Sequence, residues 1–156
     1  MYPMEPPNGC VSLCPGCRYR NLNAEESDRK KARWVEQCLN PLEILPLPIK
    51  SPSQRWQYRR KALLHARWST NGWELWLIRR RGWEMDLVPI PDCPLHAKEL
   101  NPRFMVLRTL APQGLPWRFL LVSGDIFTLV LKTKPDERWR AWALSIEPPL
   151  RQAGVR

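Results

Sequence analysis

A chain of 156 residues has room for one ordinary domain with its own core, or a compact domain plus a tethered segment, and excludes two full enzyme domains. A hydrophobic content of 44% excludes disorder throughout, and 17 prolines with 9 tryptophans point to an aromatic-rich fold interrupted by loops. The 25 Lys and Arg against 15 Asp and Glu leave a charge of +10, which suits a polyanionic partner or an acidic membrane surface.

The opening "MYPMEPPNGC" lacks both a basic leader and an apolar run, so no secretory signal is expected. Apolar runs such as "IFTLVL" are too short to span a bilayer, and the expectation is a cytoplasmic protein with no membrane partner. In a reducing cytosol, clustered cysteines serve as metal ligands or redox centres in preference to disulfides.

Residues 1–23 read as a cysteine-rich loop. From Ala24 to Leu39 acids precede bases, Ala32, Val35, Cys38 and Leu39 share an apolar face, and Asn23 is placed to cap an amphipathic helix. Prolines 41, 46, 48 and 52 make an extended connector of the segment that follows. "WQYRRKALLHARWS" and "WELWLIRRR", joined by "TNG" at 70–72, read as an antiparallel hairpin, and "MDLVPI" as a third strand leading to Cys93. "NPRFMVLRTLA" reads as a helix with Asn101 as cap and Pro102 at its first position. "WRFLLVS" and "IFTLVLK" form a hairpin around Gly124-Asp125. A last helix follows Pro135, with Trp139, Trp142, Ala143 and Ile146 on one stripe, and Pro148 and Pro149 are expected to end or kink it. The order predicts an α+β fold, an antiparallel sheet with helices on one side. Residues 1–23 form its cysteine loop, 24–50 a helix and connector, and 51–156 the central domain.

Cys10, Cys14 and Cys17 can supply three corners of a tetrahedral metal site or three ligands of an iron-sulfur cluster. Cys38, on a helical apolar face, is expected in the core. Cys93, between prolines at a strand end, is the better fourth ligand and would clip the N-terminal loop to the sheet. Spacing alone does not choose between zinc and iron-sulfur, and a redox pair at Cys14 and Cys17 lacks the strand-helix setting it needs.

Between Ser51 and Arg81 lie eight Lys or Arg residues, one acid, Glu74, and four interleaved tryptophans, Trp56, Trp68, Trp73 and Trp76. Guanidinium groups pair with phosphates and exposed indoles stack on unpaired bases, so the segment suits RNA, although the tryptophans are equally candidates for core. Alternation puts Arg59 and Lys61 on one face and Tyr58, Arg60 and Ala62 on the other. The candidate RNA-binding residues are Arg59, Arg60, Lys61, Arg79, Arg80 and Arg81. His65 and His96 read as structural, since no nucleophile or carboxylate converges on either in sequence.

"CVSLCPGC", the basic helix, "SPSQRWQYRRKALLHA" and "MDLVPIPDCPLH" together resemble the first half of the SAM-dependent RNA uracil-5-methyltransferase family. The resemblance implies a [4Fe-4S] cluster on Cys10, Cys14, Cys17 and Cys93, with zinc as the alternative occupant. It also implies a central-sheet motif at Tyr58, Arg59, Lys61 and Ala62, and tRNA or rRNA lying against that sheet. The seven glycines form no nucleotide-binding turn. The resemblance therefore implies that SAM binding and catalysis belong to a downstream domain absent here or to a separate partner, and that no catalytic residue is carried by this chain. A stand-alone zinc-stapled RNA-binding module is the competing expectation.

Overall fold

The computed structural model describes residues 5–51 and 53–156, with the main chain alone at Arg81. Two compact units emerge: one holds the described part of Met1–Pro7 with Cys17–Arg55, the other Asn8–Gly16 with Trp56–Arg156.

In the first unit, helix α1 spans Ala24–Leu39. Asn23 and Glu26 close a capping box: Asn23 Oδ1 accepts from the Glu26 N–H at 2.8 Å, and Glu26 Oε2 accepts from the Asn23 N–H at 3.3 Å. Two of the helix's orphan donors are thereby satisfied. Ala32, Val35 and Leu39 are half-buried as the periodicity requires, but Cys38 is exposed. One residue is about 100° of helical turn, so Cys38 lies well round from Leu39 and outside the stripe, against the core placement expected for it. A single 3-10 turn, Asn40–Leu42, ends at Glu43 with φ 56°.

The second unit is an α+β fold. Its strands are β1 (Lys61–Ser69), β2 (Gly72–Arg81), β3 (Glu84–Pro89), β4 (Trp117–Ser123) and β5 (Ile126–Leu131), with helix α2 (Leu100–Leu110) before β4 and helix α3 (Glu137–Gln152) after β5. They form one open antiparallel sheet in the order β3-β2-β1-β4-β5. On one face Leu64, Leu75, Leu120 and Val122 pack with Leu100, Phe104 and Leu107 of α2 and Ile146 of α3. Leu64 and Leu120 are only 1% and 0% exposed. Each such side chain is worth about 1.5–3 kcal/mol of burial.

Three boundaries depart from the sequence reading. Trp56–Arg59 does not join the sheet: the Arg59 N–H donates to Leu95 O at 2.8 Å and Arg59 O accepts from Ala97 N–H at 2.9 Å, so this stretch pairs with the strap Asp92–Ala97. Asn101 sits inside α2 and does not cap it. Its amide donates to Cys93 O at 3.1 Å and to Asp92, which leaves Oδ1 to accept from His96 Nδ1 at 3.0 Å. That fixes the His96 proton on Nδ1 and ties the strap to the helix. Finally, α3 runs through Pro148 and Pro149 to Gln152. The two prolines remove two helical donors, while Leu150 against the core and the buried Val155 hold the last turn in place.

Candidate nucleic-acid interface

The face of the sheet opposite the helices carries a row of rings. Strand register lines up Pro89, Trp76, His65, Phe119 and Val130 side by side across all five strands. His65 and Phe119 meet edge to face with centroids 4.5 Å apart. Around them stand Leu63, 53% exposed, and Leu121, 42% exposed, with Met85, Leu87 and Ile126 also exposed. Neighbouring strand residues point to opposite faces, which is why Leu63 is open while Leu64 is sealed.

Positive charge borders the row. Arg67 lies 5.9 Å from the Trp76 ring centroid and Arg118 4.9 Å from that of Phe119, both in cation–π range. Lys61 and Arg80 share the face by alternation and are exposed. Glu74, opposite Arg67 in the register, is the acid among them. Arg118 occupies a bulge between Trp117 and Phe119, and this extra residue sends Trp117 into the core and Phe119 to the open face. Burial, and secondly the Arg118 charge, hold the His65 pKa below the usual histidine range. One polar atom is stranded here: Trp76 Nε1 is buried without a hydrogen-bond partner.

The six basic residues singled out in sequence do not converge. Lys61 and Arg80 reach the open face. Arg79 lies on the opposite face, where it pairs with Asp86 at 2.6 Å. Arg60 pairs with Glu99 at 2.6 Å. Arg59 is half-buried beside the strap, and the side chain of Arg81 lies outside the described residues. His65, Phe119 and Arg118, none of them among the candidates drawn from sequence, stand in or beside the row. Alternation along β1 signals His65, but nothing in sequence announces that β4 lies next to β1.

The four cysteines expected to share a metal do not assemble. Among the described residues, no group of three or more His, Cys, Asp or Glu side chains is placed to hold a metal ion. The [4Fe-4S] cluster on Cys10, Cys14, Cys17 and Cys93, its zinc alternative and the metal clip between loop and sheet are all overturned. Two of the thiols are engaged in local hydrogen bonds instead. Cys14 Sγ accepts from the Gly16 N–H at 3.4 Å. Burial pushes the Cys93 thiol above its ordinary pKa, with Cys14 adding to the rise and the Leu95 and His96 N–H groups opposing it. Burial thus favours the protonated form of this thiol. The loop instead touches the strap at Gly9, whose φ of 84° is open to glycine and where an added Cβ would stand 2.6 Å from Asp92 O.

No family model matches the chain. It is similar to an RNA-modifying enzyme. The 23S rRNA (uracil(1939)-C(5))-methyltransferase RlmD of Pseudomonas fluorescens is 29% identical over 129 residues, covering 76% of this chain and 28% of that protein. This is a distant and partial similarity to an RNA uracil-methyltransferase, and the chain spans little more than a quarter of the relative's length. Among the described residues no helix is long and apolar enough to cross a membrane.

Proposed function

We propose that this chain is an RNA-binding portion of an RNA uracil-C5-methyltransferase, that residues 51–156 form its RNA-binding domain, and that unpaired bases of tRNA or rRNA lie on the open sheet face. The observation that carries the reading is the aligned row of Trp76, His65 and Phe119 between Arg67 and Arg118. Rings offer stacking surfaces of about 1–3 kcal/mol per base, and guanidinium groups beside them reach the phosphates on either side of a splayed base. The distant similarity to the rRNA methyltransferase supports the choice of RNA as the polyanion. The methyl-transfer chemistry is assigned to no residue of this chain.

The test is binding of fluorescently labelled single-stranded, uridine-containing RNA, followed by anisotropy at fixed salt, with a duplex of the same sequence for comparison. The full chain should prefer the single strand. Phe119→Leu and the pair Arg67→Ala with Arg118→Ala should each weaken binding about tenfold or more, the order expected for one lost stack or two lost phosphate contacts. Variants that fold normally and bind the single strand as tightly as the parent would refute the assignment.

A further inference from the structure

Away from the open face, four arginines from separate segments of the second unit surround one hollow of 630 Å³. They are Arg60 just before β1, Arg103 on α2, Arg151 in the last turn of α3, and Arg156. The turn Gly124-Asp125, Gly154 and Val155 complete the lining, and Asp125 is the one acidic side chain in it.

How these arginines are held decides what the hollow can take. Arg103 Nε donates to Ala153 O at 2.9 Å, Arg151 Nε pairs with Glu147 at 2.7 Å, and Arg156 Nε pairs with Asp125 at 2.9 Å. In all three the inner nitrogen is tied back, and neither Nη1 nor Nη2 bonds another described residue. Arg60 differs, spending Nη2 on Glu99. Gly154 makes room for the arrangement: at φ +81° it carries no Cβ, and one placed there would lie 2.5 Å from Arg103 Nη2. The result is three guanidinium groups paired through Nε with their outer nitrogens turned to solvent, the side chains of Arg151 and Arg156 being 70% and 78% exposed.

A guanidinium fork matches an oxyanion through two parallel N–H bonds. A planar carboxylate satisfies one or two forks, whereas a tetrahedral phosphate offers oxygens in several directions and can be shared by three. We infer that this hollow is a phosphate-binding site, occupied either by a backbone phosphate of RNA or by a small free phosphate compound. It is independent of the base-stacking reading, since none of the residues proposed to stack lines it.

The probe is inorganic pyrophosphate, titrated calorimetrically into the full chain, with single-stranded RNA titrated in parallel. The double variant Arg151→Ala, Arg156→Ala should lose at least tenfold in pyrophosphate affinity. Arg151→Lys with Arg156→Lys, which keeps the charge and removes the fork, should fall between. Lys132→Ala with Lys134→Ala, an equal charge change elsewhere, should behave as the parent, and circular dichroism establishes that each variant is folded. If pyrophosphate also competes with RNA, and the double alanine variant shows a shallower salt dependence by about 0.7 in log–log slope per lost contact, the ligand is the RNA backbone. If pyrophosphate binding is lost while RNA affinity holds, the ligand is a small phosphate. A parent chain that does not bind pyrophosphate, or a double alanine variant that binds it like the parent, overturns the site. Phe119→Leu separates the two proposals, because it should impair RNA binding and leave pyrophosphate binding intact.

Discussion

His65 on β1 and Phe119 on β4 are direct cross-strand partners although they stand 54 positions apart in the chain, and their rings meet edge to face at 4.5 Å. Such pairs contribute about 0.5–1.5 kcal/mol beyond simple burial, and this one joins the two hairpins into a single sheet. It also places a titratable ring in the middle of the proposed RNA surface.

His65 should titrate below the ordinary histidine range, because burial and then Arg118 disfavour its charged form. Arg118→Gln removes the second cause and leaves the first, so the pKa should rise without recovering fully. An NMR titration of the ring C–H signals measures both. A variant whose His65 titrates as the parent's does would show that the Arg118 charge is not felt there.

Stability should fall as the solution is acidified. His65 and His96 both have folded-state pKa values lowered chiefly by burial, although the hydrogen bond to Asn101 opposes the shift at His96. Folding holds each imidazole neutral, so the unfolded chain binds more protons. The stabilisation is present in full above the unfolded value near 6.5 and is lost as pH drops through the folded values. Urea midpoints at pH 8, 7, 6 and 5 should decline mainly over the lower part of that series. A midpoint that rises toward pH 5 contradicts the assignment.

Trp76→Phe should not destabilise the protein. Its buried Nε1 donor has no acceptor, and such an orphan costs about 1–3 kcal/mol. Phenylalanine removes the donor and keeps a ring in the row, so thermal stability should hold or rise and RNA binding should persist. Trp76→Ala should lose both, through the cavity and the missing stacking surface.

Asn101→Ala should loosen the strap Asp92–Ala97. One amide serves Asp92, Cys93 O and His96 together. Removing it leaves partly buried groups unpaired, for an expected loss of about 1–3 kcal/mol in urea unfolding. Hydrogen exchange should speed up at the Arg59 and Ala97 amides, which pair across that strap.

In the first unit, Asn23→Ala should remove the cap that holds the start of α1, at about 1 kcal/mol. Faster amide exchange confined to the first turn of the helix is the readout. Protection unchanged at Glu26 would mean that its bond to Asn23 contributes nothing.

Much of what depends on neighbours in the chain was legible before any coordinates, although the roles of Asn101 and of Pro148-Pro149 were not. Asn23 caps α1, Gly124-Asp125 turns β4 into β5, and neighbouring strand residues alternate between faces, because backbone geometry acts over a few residues. The tertiary structure alone decided which distant segments meet. It set β4 against β1, inserted the bulge at Arg118 that turned Phe119 outward, and used Asn101 on the strap instead of as a cap. It also gathered Arg60, Arg103, Arg151 and Arg156 around one hollow. Contacts of that range are chosen by how well whole faces pack and how completely buried polar groups are paired, and no local run of residues carries that information.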